Sequence, residues 1–203
     1  MMDKKVLASM LIIAVASMLI GAGTVAYFSD TETSKGNTFT VGTGPDLKVS
    51  DRDEGYGDGV TATWTASDMK PGTTIPPYSV SLQNWGTVAG NHIEITCSNT
   101  VYDPPGPPSD TEEGTTDMDW AMEITIMTYN GSDLLNLLLD NNGNGIKDLD
   151  DFEAQGFDNL PPPLPNAVGS YSFTMALRFH PILGDNDYQG DTLTTTIIFT
   201  LKQ

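Results

Sequence analysis

Two stretches near the C-terminus set the period on which the chain is built. In 171–179 the odd positions Tyr171, Phe173, Met175, Leu177 and Phe179 are apolar, while Ser172, Thr174 and Arg178 between them are polar. Leu193, Ile197, Phe199 and Leu201 repeat the pattern. A period of two sends alternate side chains to opposite faces of a strand, so these segments read as half-buried strands. Earlier runs share that period. Phe39 with Val41, Leu47 with Val49, Val60 with Ala62 and Trp64, and Tyr78 with Val80 and Leu82 each fall on one face. Ile93, Ile95 and Cys97 form the next inward set, and Trp120, Met122, Ile124 and Ile126 alternate as a central strand. Turn residues separate the runs: Gly44-Pro45, the polar stretch 51–59, Lys70-Pro71-Gly72 and Asn84-Trp85-Gly86. About eight short strands punctuated in this way predict an all-β fold, a jelly-roll-like β-sandwich.

The period breaks in three places. Residues 103–117 (DPPGPPSDTEEGTTD) hold too little apolar surface to offset the entropy of ordering and read as an exposed loop. Residues 184–191 read as a second loop between the last two strands. From Asn130 onward Ser132-Asp133 is placed to cap a short helix, Leu134–Leu139. A second short helix is expected over 148–155, and the prolines of 161–165 form a stiff connector back to the sheet. Residues 130–165 therefore read as a helical insertion within a sandwich domain that spans 44–203.

That insertion carries the clearest candidate site. In 140–151 (DNNGNGIKDLDD) oxygen donors fall at loop positions 1, 3, 5, 9 and 12: Asp140, Asn142, Asn144, Asp148 and Asp151. Gly145 permits a sharp turn at position 6, and the Ile146 carbonyl stands at position 7. Calcium takes six to eight hard oxygen ligands, and this spacing wraps them about one point. With Asp151 where a sensor loop has a bidentate Glu, the site suits a structural ion. The competing reading is an Asn- and Gly-rich turn joining two short helices. Asp51, Asp53, Glu54 and Asp58 fit a solvated turn better than a second site. Asn130-Gly-Ser132 is a glycosylation sequon.

Residues 1–26 read as a signal peptide: a basic start at Lys4-Lys5, an apolar run 6–20, and small residues up to Ala26, with cleavage between Ala26 and Tyr27. The alternative is a retained membrane anchor, since the apolar run is about long enough to span a bilayer. The net charge of the whole chain is −18. Such a chain repels nucleic acid and anionic lipid and attracts divalent cations, so neither nucleic acid nor, after cleavage, a membrane is expected as a partner. Cys97 is the one cysteine, which excludes an intramolecular disulfide; in step with Ile93 and Ile95, it reads as a small buried hydrophobe.

Several of these segments together resemble one family. Residues 21–30 (GAGTVAYFSD) look like the cleavage region of TasA/camelysin precursors, which a dedicated signal peptidase processes. Asn37–Thr43 followed by Asp46–Val49 is similar to that family's first strands. Asp68–Gly72, Ser81–Gly86 and Asn186–Asp191 resemble its later turns and last hairpin, and 100–170 departs freely. The family is one of exported, filament-forming matrix proteins and includes archaeal bundling pili. The resemblance implies a secreted subunit of a pilus or biofilm-matrix fibre that polymerises with itself by donor-strand complementation. The donor would be the mature N-terminal segment 27–43, with Tyr27, Phe28, Ser29, Asp30, Thr31, Glu32, Thr33 and Thr38 in it. The residues are compatible with that role: 27–38 is too polar and Gly-broken to fold alone. The plain alternative is a frayed terminus that leads into the sheet.

Two other function classes remain in view. One is a monomeric calcium-dependent surface adhesin. The other is a metalloprotease, as the name camelysin claims. No His-Glu-x-x-His occurs, and the only histidines are His92 and His180, too few for the three protein ligands of a catalytic zinc site unless carboxylates join them. Nucleophile-elbow, P-loop and dinucleotide signatures are also missing from the sequence. The expectation is a protein that is not an enzyme.

Overall fold

The computed structural model describes residues 44–61, 63–102, 118–183, 188 and 191–203. Among these the chain forms β1 (Leu47–Ser50), β2 (Thr74–Asn84), β3 (His92–Tyr102), β4 (Met122–Tyr129), β5 (Ser132–Asp133), β6 (Phe157–Leu160), β7 (Tyr171–Phe179) and β8 (Thr192–Lys202), with one short helix, α1 (Leu149–Gln155). One antiparallel sheet has the order β1-β2-β7-β4-β5 and the other the order β6-β3-β8. The predicted leader, the segment 27–43 with Phe39 and Val41, and the loop 103–117 lie outside the described residues. No helix among the described residues is long and apolar enough to cross a membrane.

The period of two decides which residues meet. Val80 and Leu82 of β2 pair with Phe173 and Tyr171 of β7, and all but the half-buried Tyr171 are buried. Ile93, Ile95 and Cys97 of β3 pair with Leu201, Phe199 and Ile197 of β8 in a register unbroken along both strands. Between the sheets Phe173 is the centre of the core. Its ring stacks on Phe152 of α1 and meets Phe199 of β8 and Trp64 edge-on, with centroids 5.5 to 6.2 Å apart. The two sheets face each other across this aromatic group, so the chain is an all-β sandwich, as its alternation predicts.

Four local expectations are corrected. Val60–Trp64 is not a strand: the described part of that stretch is irregular, and Trp64 turns into the core. Its indole N–H donates to the Met175 carbonyl at 2.7 Å, beside a bulge of β2 where Pro76 and Pro77 bring no N–H to the ladder. The strand predicted from Trp120 begins instead at Met122, after a 3₁₀ turn, Met118–Ala121. A bulge between Ile124 and Ile126 then shifts its inward set to Met127 and Tyr129 and leaves Ile126 exposed. Ser132-Asp133 does not cap a helix over 134–139. The two residues form β5, paired with Thr128 and Tyr129, and only a 3₁₀ turn, Leu135–Leu137, follows. Asn130 and Gly131, with φ of 47° and 79°, make the tight turn of this hairpin; such left-handed pairs suit Asn-Gly. The second helix forms as expected, as α1, with Asp148 at its N-cap.

Candidate functional site

Three features stand out, and the strand registers place them relative to one another. The first is a groove. A cavity of about 950 Å³ opens between the sheets, lined by Ile75 and Val80 of β2, Met175, Leu177 and Phe179 of β7, Met122 of β4, and Leu193, Ile197 and Phe199 of β8. Trp64 and Met69 of the irregular stretch close one side. The inward residues of β8 are accordingly only half-buried, although their partners on β3, Ile93, Ile95 and Cys97, are buried. Along its full length β8 pairs with β3 on one side and, among the described residues, with no strand on the other. An edge of that length, unpaired among the described residues and next to an open groove whose lining is as polar as it is apolar, can serve as a template for an added strand.

The second feature is the corner where residues 44–46 join the sandwich. Asn84, fully buried, holds it together. Its Oδ1 accepts from the N–H groups of Asp46 (3.1 Å) and Gly86 (3.0 Å), its Nδ2 donates to the Val88 carbonyl (2.9 Å), and its own carbonyl accepts from Ala167 N–H (2.8 Å). Trp85 N–H adds a bond to the Asp46 carbonyl at 2.7 Å. A Cβ on Gly86 would lie 2.0 Å from the Gly44 carbonyl oxygen, so glycine alone admits the crossing. Gln203, just past β8, also lies beside Gly44. This end of the sandwich thus gathers the start of β1 and the C-terminal ends of β2 and β8. The groove runs along β8 from Thr192 to Phe199 and stops short of the corner: Leu82, Asn84, Ile93 and Leu201 take no part in it.

The third feature is the loop 140–151. Asp148 is the N-cap of α1 and Asp151 its N3 residue, and each side chain accepts the other's backbone N–H in a capping box. Both are 0% exposed. Asn142 and Asn144 turn their amides to Asp148 Oδ2 at 3.1 and 2.6 Å. One carboxylate oxygen each from Asp148, Asp150 and Asp151 lies within 4.8 Å of the others, and among the described residues no other group of three His, Cys or acidic residues does this. Burial pushes the Asp148 carboxyl up to about 6, against the hydrogen bonds from Asp151, Asn142 and Asn144. Of the expected ligands, Asn142, Asn144, Asp148 and Asp151 are therefore brought together. Asp140 stands apart: its carboxylate accepts from the N–H groups of Gly143, Asn144 and Gly145. Ile146 donates its N–H to Asn144 Oδ1. Asp150, which sequence spacing did not select, joins through its bond from Asn142 at 3.2 Å. The donor set is all hard oxygen, and two fully buried carboxylates side by side favour a divalent cation, so the residues fit calcium. With the ion present, Asn142 and Asn144 would present Oδ1 in place of Nδ2. The loop is tied to the sandwich through Ile124 N–H to the Lys147 carbonyl and Asn144 to the Trp120 carbonyl.

The histidines do not converge. His92, at the corner end of β3, pairs with Asp158 at 3.0 Å. His180, past the far end of β7, accepts from the N–H groups of Ile182 and Leu183 through Nδ1. Cys97 is buried among the core residues. Asn130 is exposed at its turn.

Among curated proteins none matches the chain. A sequence-family profile does: that of the family described as camelysin metallo-endopeptidase, over residues 1–146, which takes in the leader region, the corner, the irregular stretch and strands β1 to β5. With most of its length matched, the chain belongs to the camelysin family, the TasA-like group that its first strands and turns resemble.

Proposed function

We propose that this chain is an exported structural subunit that polymerises head to tail into extracellular filaments, the segment 27–43 of one copy entering the groove of the next as an added strand. The supporting observation is that the groove, which runs along β8 from Thr192 to Phe199, and the corner to which that segment is attached are different surfaces of one sandwich. A contact between two different surfaces leaves one of each unused in every pair, so further copies add head to tail, and an open filament results where the rotation between copies does not close a ring. Dimensions agree: residues 27–43, extended at ~3.3 Å each, reach roughly 55 Å, against roughly 36 Å for the edge of β8. Phe39 and Val41, two residues apart, would face the groove together.

In this reading a signal peptidase frees Tyr27, the product is secreted, and the loop 140–151 binds a structural calcium ion through Asp148, Asp150, Asp151 and the two asparagines. The filament role is preferred to proteolysis because the two histidines stand at opposite ends, and because the carboxylates that cluster do so without either of them. Electron microscopy and sedimentation of the mature chain, compared with a chain lacking 27–43, test the proposal. The parent is expected to form filaments and the truncated chain to remain folded and monomeric. Filaments from the truncated chain, or a surface-binding monomer from both, would overturn it.

A further inference from the structure

The wall of the groove concentrates one residue type. Of the nine methionines in the chain, four fall within residues 1–26. The others are Met69, Met118, Met122, Met127 and Met175, and all but Met127 line the groove. They come from four separate segments: the irregular stretch before β2, the 3₁₀ turn before β4, and the strands β4 and β7. Met127, 0% exposed and off the groove, is the ordinary core methionine. Strand β8 supplies none; its part of the lining is Thr192, Leu193, Thr195, Thr196, Ile197 and Phe199. That division decides what the groove can read. A strand added to the edge of β8 would be held by backbone pairing, which is blind to side chains. Its inward side chains would point across the core at β2, β7 and β4, the wall that carries Met122 and Met175, with the half-buried Met69 and Met118 beside them. Methionine is unbranched, flexible and polarizable, so it reshapes around neighbours of different form where Val or Ile would hold one shape.

We infer that the groove is a permissive acceptor: Met69, Met118, Met122 and Met175 fit it to an incoming segment with two large apolar side chains spaced as Phe39 and Val41 are, whatever the shapes of those side chains. The partner class is therefore wider than identical copies and takes in non-identical exported subunits whose leading segment carries such a pair. The inference rests on the strand-exchange reading and adds what the entering strand must, and need not, carry.

Competition during growth of the mature chain tests it. A synthetic peptide of residues 27–43 is added, and the concentration that halves the amount of polymer is read by sedimentation. Peptides with Phe39→Leu, Phe39→Trp or Val41→Leu are expected to act within about threefold of the parent peptide, because the methionines take up the difference. A peptide with Phe39→Thr and Thr40→Phe, in which the apolar pair no longer shares a face, is expected to be weaker by about tenfold or more. The mature chain carrying Met122→Ile and Met175→Ile, or Met69→Ile and Met118→Ile where the first pair does not fold, is expected to lose the tolerance, its stiffer side chains separating the Phe39→Trp peptide from the parent by about tenfold. A parental groove that separates Phe39→Leu or Val41→Leu from the parent peptide by that factor, or isoleucine variants as tolerant as the parental groove, overturns the inference while inhibition by the parent peptide still upholds the strand exchange. Filaments that grow unhindered at every concentration of the parent peptide remove both.

Discussion

Asn84 shows how one buried polar residue can organise an end of the molecule. Four hydrogen bonds, three from its side chain and one from its carbonyl, join β2 to the root of the N-terminal segment, to the following turn and to the loop at Ala167. Replacing its side chain by alanine leaves two N–H groups and a carbonyl without their partner, which costs about 2–3 kcal/mol. Urea unfolding of Asn84→Ala should show a loss of that size; one below ~0.5 kcal/mol would mean that water replaces the amide at no cost. Cys97 makes the opposite case. Burial, with the charges of Glu153 and Asp119 adding to it, pushes its thiol up to about 12. The folded protein should therefore resist a thiol reagent at pH 8 and react once it is denatured, which an absorbance assay reads directly. Prompt reaction of the folded chain would place the thiol at the surface.

At the scale of the element, the loop and α1 form one unit whose stability depends on what neutralises Asp148. Its carboxyl is raised in the folded state from 3.8 to about 6. Without calcium its contribution is therefore fully present below pH 3.8 and is lost as the pH rises through about 6, where a buried charge must be carried. A calcium ion bound there, as proposed, would supply the missing counter-charge above that point and compete with the proton below it. Calorimetry with calcium and with chelator should show a melting-temperature gap at pH 7.5 that narrows as the pH falls through about 6. A gap of equal size at pH 5 would exclude Asp148 as a ligand. Much of this unit was legible in the sequence, because Asx residues at fixed spacing and an Asp N-cap act locally. Asp150 was not, since its place depends on how α1 turns its first residues toward Asn142. The same division runs through the sandwich. Strands such as β7 and β8 declare themselves by alternation, whereas the bulge that turns Ile126 outward and the indole that reaches Met175 arise from pairing between distant segments. Strand-like composition in Val60–Trp64 is overridden by the groove it borders.

For the whole molecule the net charge of −18 opposes every association of like copies. Added salt shortens the range of that repulsion to about 10 Å at 0.1 M. The concentration at which filaments form should therefore fall as sodium chloride is raised from about 0.01 M to about 0.15 M, with light scattering as the readout. A rise instead would mean that attraction between opposite charges drives assembly. One consequence of the separation between Asn84 and the cavity concerns growth. A polymer built this way is directional: one tip ends in a vacant cleft and the other in an unengaged tail. A tail-less molecule can receive but cannot give, so a small admixture of it should stop elongation at a single tip and shorten the fibres without dissolving them.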